Sequence, residues 1–556
     1  MEKDFQVRTM DQGEGIKGVP IVLTASRAEA NEYENNPFAA FICTFPKKFS
    51  SYALRDHLQK LPSKPDGTAK RTVYGLRKVE SLLIDTFGED MVKTVHYDQL
   101  HKFIGSETKI VGISSMDPMG LAYVSTTYNS LIGLGGESLN ATEFKRLLAH
   151  PSILRYKPKI VVGGQGAWQI KEAKEQENLG IDVLFQGEGE QDIIVLFKKL
   201  LKGKATDPIQ LSKRTKRERV PLIKHAASYG MVEIMRGCGR GCHFCSPTMR
   251  NRYSFPLDHI MKEVDINIRE GARSIFTVTE DIFLYKCHDH FIPNRQAVVS
   301  LFKTIASYPG VEHILLSHAS FAPIIYDEKL LEELTPILIE KTKWNPQTNS
   351  MYKHPFISVE MGIESGSVCL MNKHMKGKAL PFSVDNWPEL VVQAIGTMND
   401  NDWWPLCTIM AGQPDETEED IIATLDLIDN LRAINAKMFY TPVLFIPLED
   451  AVLGHCQRTN LDSLSELHWE VLARCWQNNI EFWVPEKRWM INTGFLFSYW
   501  LYYRWKHGRK SMYPVMRLAG FPSAKIGKTC EPELCYEHNG NHFLKETYER
   551  IREWFH

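Results

Sequence analysis

Apolar residues fall along this chain in two series of short runs, each bounded by glycines or charged residues. Runs at 18–24 (GVPIVLT), 109–116 (KIVGISSM), 159–164 (KIVVGG) and 181–187 (IDVLFQG) are rich in β-branched residues and predict strands. Between them lie stretches such as KVESLLIDTFG, with apolar positions at helical spacing. Continuous apolar strands alternating with helices predict a parallel sheet covered on both faces. The expected first domain, residues 1–205, is thus Rossmann-like (flavodoxin-like) α/β. Its strands run into Gly164, Gly166, Gly187 and Gly189, where loops at carboxyl ends would meet a ligand.

Residues 206–229 include KRTKRER and predict a charged linker. A second α/β series then occupies 230–447. Its expected strands are MVEIMRG at 231–237, SIFTVTED at 274–281, HILLSHAS at 313–320, FISVEMG at 356–362, PLCTIMAG at 405–412 and KMFYTPVLFIP at 437–447. HIMKEVDINIREG at 259–271 places Ile260, Val264 and Ile268 on one helical face. Six β-α repeats predict a partial or full (β/α) barrel. Residues 448–556 change character: Trp469, Trp476, Trp483, Trp489, Trp500, Trp505 and Trp554 all fall there. That region is expected to be mainly helical, its aromatics filling a core or else walling a site.

Composition narrows the function classes. A chain of 556 residues exceeds one hydrophobic core, so several domains are expected. With 66 basic and 67 acidic side chains the net charge is -1, which excludes broad electrostatic capture of nucleic acid. No run of about twenty apolar residues occurs, so no membrane span is expected. The polar opening MEKDFQVRTMDQGEG is unlike a secretory signal. These features predict a cytoplasmic protein whose 11 cysteines are thiols or ligands rather than disulfides.

The segment RGCGRGCHFCSP sets Cys238, Cys242 and Cys245 at CxxxCxxC spacing directly after a predicted strand. Thiolates are the soft ligands of iron–sulfur clusters, and Gly237, Gly239 and Gly241 give the loop freedom to wrap one small object. Three thiolates on a four-iron cube leave one iron uncommitted, able to chelate a small molecule. A zinc site would need a fourth ligand, and His243 is the one such residue inside the loop. Cys530 and Cys535 are distant alternatives for a fourth ligand.

This segment resembles the signature of the radical S-adenosylmethionine (SAM) superfamily, and the order of motifs through residue 447 follows it. The resemblance implies a 4Fe–4S cluster on the three cysteines, SAM on the open iron, and an external one-electron donor. It places Phe244 near the adenine, and Thr279, Glu280 and Asp281 where relatives carry a glycine-glycine-glutamate run that holds the SAM amine. EMGIESGS at 360–367 makes Glu364 the acidic position after the fourth strand. GQPDETEEDI at 412–421 resembles the segment after the fifth, and Thr417 with Asp420 also predicts a capped helix start.

VVGGQGAWQI at 161–170 and DVLFQGEGEQDI at 182–193 resemble the cobalamin-binding domain that precedes the radical domain in one subfamily. By that resemblance Ser114, Ser115, Gly163, Gly164, Gln165, Gly187, Glu188 and Gly189 line cobalamin. The loop after the first strand, TASRAEANEY, holds no histidine, so no imidazole from it reaches the cofactor's lower face. The implied reaction is radical methylation of an unactivated carbon. One SAM methylates reduced cobalamin; a second yields the 5′-deoxyadenosyl radical that activates the substrate. A small metabolite, a peptide, or a glutamine residue of a protein such as methyl-coenzyme M reductase would be the acceptor. The alternatives are a cobalamin-dependent cyclase, rearrangement or methylthio-transfer enzyme, and a redox or structural iron–sulfur protein without turnover.

Overall fold

The computed structural model describes residues 16–54, 58, 61–132, 136–246, 251–347, 353–448, 451–483, 501, 502, 504–508 and 511. Over these residues the chain forms two compact units: Met1–Leu121 with Gly136–Ser228, and Ala122–Gly135 with Tyr229–His556. Trp489, Trp500, Trp554, Cys530 and Cys535 lie outside the described residues.

The first unit is one parallel sheet of β1 (Ile21–Ala25), β2 (Val92–Thr94), β3 (Ile110–Ser114), β4 (Lys159–Gly163), β5 (Val183–Gln186) and β6 (Ile209–Leu211). The strand order is β2-β1-β3-β4-β5-β6. Successive residues of these strands feed opposite cores, as the two-residue period of a strand requires. Leu23, Val161 and Phe185 pack on one face with Leu83 and Phe197. Val22, Val111, Val162 and Leu184 pack on the other with Phe144 and Leu147. The expected charged linker differs from what is found, because part of it is β6, which pairs with β5 through Leu184↔Ile209 and Gln186↔Leu211. The strand itself, Ile209-Gln210-Leu211, carries no charge and ends before the basic run at 213–219.

The second unit carries β7 (Met231–Glu233), the short antiparallel ribbon β8 (Met235–Arg236) with β9 (Tyr253–Ser254), and then β10 (Ser274–Val278). It continues with β11 (His313–Leu316), β12 (His318–Ala319), β13 (Glu360–Glu364), β14 (Leu406–Ala411) and β15 (Phe439–Leu444). β7, β10 and β11 form one parallel sheet, and β12 through β15 another. Only Ser317 separates β11 from β12, so the parallel series runs on as a partial barrel. The fourth expected strand begins later than its apolar run suggests, at Glu360 rather than Phe356. Inward positions there are polar, which hides the strand from a hydrophobic pattern.

Two helices cover β15. Helix Tyr123–Ile132 leaves the front half of the sequence to pack here, and Leu444 N–H donates to Thr127 Oγ1 at 2.9 Å. Helix Glu466–Trp483 seals the strand's edge: Asn479 accepts from Tyr440 N–H at 2.8 Å and donates to Tyr440 C=O at 2.7 Å. Trp469 is buried, while the Trp476 and Trp483 rings lie 6.3 and 6.4 Å from Phe439. These three tryptophans serve packing.

Candidate functional site

The cysteine loop leaves the second unit's first strands at Gly237. Gly239 and Gly241 sit at φ of 77° and 76°, a left-handed conformation that costs other residues strain, so the loop can turn three thiols inward. All three are free thiols. Burial raises the Cys242 thiol to about 12; Lys378 partly offsets this, and the charges of Cys238 and Cys245 add to it. Burial also raises Cys238, with Arg240 opposing. Thiols raised in this way would become thiolates with a soft metal cation among them.

Among the described residues, no three His, Cys, Asp or Glu side chains converge as one metal ion requires. Tetrahedral zinc would need sulfurs about 3.8 Å apart, given its bond lengths. Three cysteine thiols on one glycine loop are the soft donor set that an iron–sulfur cluster takes.

Arg240 braces the loop from inside. Its guanidinium donates to the carbonyls of Gly377, Lys378 and Leu380 at 2.9, 3.2 and 3.1 Å, to Ser320 Oγ at 2.9 Å and to Asp281 at 3.4 Å. Asp281 also accepts from Ser320 and, at 3.1 Å, from Phe283 N–H. Burial raises its carboxyl although Arg240 opposes. Thr279 is buried too, its backbone held by Ser317 Oγ at 3.0 and 2.8 Å. Both carboxylate oxygens of Asp281 are engaged within the protein, so it supports the cysteine loop. Glu280 behaves differently: its charge raises both Cys238 and His318.

Glu364 ends β13 at a register shift, with φ of 64°. Its carboxylate binds Lys378 Nζ at 2.7 Å and accepts from Thr408 Oγ1 at 3.0 Å. Lys378 also donates to Gly362 C=O at 2.7 Å and stands 5.9 Å above the Phe244 ring. A Cβ at Gly362 would fall 2.0 Å from Glu364 Oε1 and 2.4 Å from Lys378 Nζ. Glycine is therefore the residue that leaves room for this ion pair.

His318 and Glu360 are cross-strand partners 3.2 Å apart. Burial disfavours an imidazolium at His318, but hydrogen bonding and charge from Glu360, with Glu280, raise it on balance. Tyr123 keeps 41% of its surface accessible, yet burial strongly raises its phenol, with Glu360, Glu364 and Cys245 adding to the shift. Tyr285 instead donates to Phe255 C=O at 3.0 Å, and Cys407 is wholly buried; both are packing residues.

After β14, Glu416 accepts from Gly412 N–H at 2.8 Å, Gln413 N–H at 3.0 Å and His468 Nε2 at 2.8 Å. Thr417 and Asp420 form the expected capping box. Sequence reasoning passed over Arg240, Lys378, Thr408, Glu360 and Tyr123. Arg240 carried a signal as the one charged side chain between the cysteines, whereas Lys378 is one of many lysines.

In the first unit, Ser114 pairs with Gly163 across β3 and β4. Gly164 and Gln165 are exposed beyond them, leaving open backbone at the sheet's carboxyl edge. Ser115 is buried, and its hydroxyl donates to Glu29 at 2.8 Å. Glu188 accepts from Thr215 N–H at 2.7 Å and, through its carbonyl, from Ser212 Oγ at 2.6 Å. Gly187 lies against Ser212 C=O, so the 187–189 turn is tied to the segment after β6.

No protein-family model matches the chain. It is 23% identical over 221 residues to the ribosomal protein uS12 methylthiotransferase RimO of Leptospira biflexa, covering 39% of this chain and 43% of that protein. It is 23% identical over 282 residues to the tRNA-2-methylthio-N(6)-dimethylallyladenosine synthase of Thermotoga petrophila, covering 50% of this chain and 57% of that protein. The matches thus span about half of these relatives' lengths. Among solved structures, the radical S-adenosylmethionine methyltransferase TsrM of Kitasatospora setae, with cobalamin and a 4Fe–4S cluster bound, superposes with a TM-score of 0.51 at 14% identity. That likeness covers 78% of this chain and 74% of TsrM, and it establishes the fold class: a flavodoxin-like sheet ahead of a radical SAM-type partial barrel.

Proposed function

We propose that this chain is a cobalamin-dependent radical SAM C-methyltransferase. The observation that carries the reading is the triad of free thiols on one glycine loop at the barrel's first strand, Cys242 buried and Cys238 and Cys245 partly buried. The fold shared with TsrM, and the methylthiotransferases among the sequence relatives, support it. When bound, the cluster, SAM and cobalamin supply radical initiation and methyl transfer.

The protein's own residues supply position. Cys238, Cys242 and Cys245 hold the cluster, and Arg240 with Asp281 fixes their loop. Glu280 and the Glu364–Lys378 pair give SAM's ammonium and carboxylate opposite charges to meet, and Phe244 offers its adenine an apolar face. The exposed edge at Gly163, Gly164 and Gln165 receives cobalamin. Tyr123, Glu280, His318 and Glu360 supply donors and acceptors suited to a polar substrate. A carboxamide has both a donor and an acceptor to offer such groups, and a glutamine residue of a protein is the specific acceptor we propose.

Anaerobic reconstitution with iron, sulfide and hydroxocobalamin, followed by reductant and SAM, tests the reaction. The expected products are S-adenosylhomocysteine, 5′-deoxyadenosine and an acceptor heavier by one methylene. A sulfur-bearing product would instead favour methylthio transfer, the second reading raised by the sequence relatives. Failure of the loaded cluster to cleave SAM would leave a redox or structural iron–sulfur protein. Methylation of free small molecules alone, with glutamine peptides untouched, would refute the protein substrate.

A further inference from the structure

The first unit's sheet reverses its strand order between β1 and β3, with β2 on one side and β4 to β6 on the other. Such sheets bind ligands in the crevice outside the carboxyl ends of the strands flanking the reversal. Here Glu29 spans that crevice. It follows β1, and its Oε1 accepts from Ser115 Oγ at 2.8 Å, Met116 N–H at 2.9 Å and Asp117 N–H at 3.1 Å.

The loop after β3 is fixed from its other side as well. Ser115 N–H donates to Gly163 C=O at 3.0 Å, and Gly166 N–H donates to Ser115 C=O at 3.0 Å. Gln169 donates to Asp117 at 3.0 Å and accepts from Met119 and Leu121 N–H at 3.1 and 3.2 Å. A Cβ at Gly166 would lie 2.3 Å from Met116 C=O, so the two loops interlock. Met116 thus has a backbone held on both sides while its side chain is 62% exposed. Loops at such edges are usually mobile and polar. A soft, adaptable thioether on a rigid loop is suited to a flat apolar ring or a soft metal.

We propose that Met116 is the side chain that meets the lower face of bound cobalamin, and that Glu29 is the positioning residue that holds it there. This assignment rests on the cobalamin reading above. It also explains how the loop after β1 contributes without a histidine: it supplies the carboxylate that anchors the neighbouring loop.

The full chain, loaded anaerobically with cobalamin and reduced to the cob(II)alamin state, is examined by electron paramagnetic resonance. Wild type is expected to show no axial-nitrogen splitting, and Met116→His to gain the splitting of one nitrogen. Met116→Ala is expected to release cobalamin about tenfold faster, the loss of one buried apolar contact. Adding Glu29→Ala to Met116→His is expected to abolish or blur the splitting, which a merely stabilising residue would not do. A chain that retains no cobalamin overturns the underlying reading. Retained cobalamin with an unchanged Met116→His spectrum overturns the Met116 assignment alone. Splitting that survives Glu29→Ala overturns the role of Glu29.

Discussion

Replacing Lys378 with methionine gives the sharpest test of the site's electrostatics. Lys378 and Glu364 lie 2.7 Å apart with side chains only 13% and 9% exposed. Without the ammonium, the carboxylate keeps Thr408 Oγ1 at 3.0 Å as a neutral donor. Removing one partner of a buried pair leaves an uncompensated charge, a loss of about 3–5 kcal/mol. Replacing both, as Lys378→Met with Glu364→Gln, removes the charge and should recover all but about 1 kcal/mol. Among the described residues every tryptophan but Trp168 belongs to the second unit, so urea unfolding followed by fluorescence reports that unit. The double-mutant cycle should give a coupling energy above about 2 kcal/mol. A Lys378→Met loss below about 1 kcal/mol, with no coupling, would mean the pair is solvated and the reasoning is wrong.

Cys242→Ser should abolish the iron–sulfur absorbance and labile sulfide of reconstituted protein, while Cys407→Ala, a packing change in β14, should keep both; cluster loss in both variants would refute the assignment. Asn479→Ala removes both hydrogen bonds to Tyr440 and should cost about 1–3 kcal/mol in the same urea experiment. The first unit's pH dependence balances opposite terms. Burial lowers His96 and His150 to about 4, so their contribution is full above their ordinary 6.5 and is lost as pH falls toward 4. Burial raises Glu29 from 4.5 to about 7, so its contribution is present below 4.5 and lost as pH rises through 7. Glu29→Gln removes the second term, and far-ultraviolet circular dichroism of thermal unfolding should then show stability rising more steeply from pH 4 to 7 than in wild type. Equal slopes would count against a buried Glu29.

Much of the fold was legible because its strands are buried on both faces. Ile21, Val22 and Leu23 pack against helices on alternate sides, so the strand reads as an unbroken apolar run. β13 was less legible because its alternate residues Glu360, Gly362 and Glu364 are not apolar, and an apolar pattern marks only Met361 and Ile363. β6 was hidden because three residues, Ile209-Gln210-Leu211, are too short a run to stand out beside the charged stretch that follows them. Helix Tyr123–Ile132 joins the second unit from within the first half of the sequence, and nothing in its local pattern reveals that.

By itself the sequence determined the close spacing of Cys238, Cys242 and Cys245 on one glycine loop, because spacing along the chain is local. It determined the sheet-and-barrel order for the same reason, because periodicity is a local property. Tertiary structure decided the rest: Arg240 with Asp281, Lys378 with Glu364, Tyr123 with Glu360, and Glu29 with Met116. Each pair joins residues far apart in the chain, and a charge or hydrogen bond acts over distance in space, which sequence separation does not encode.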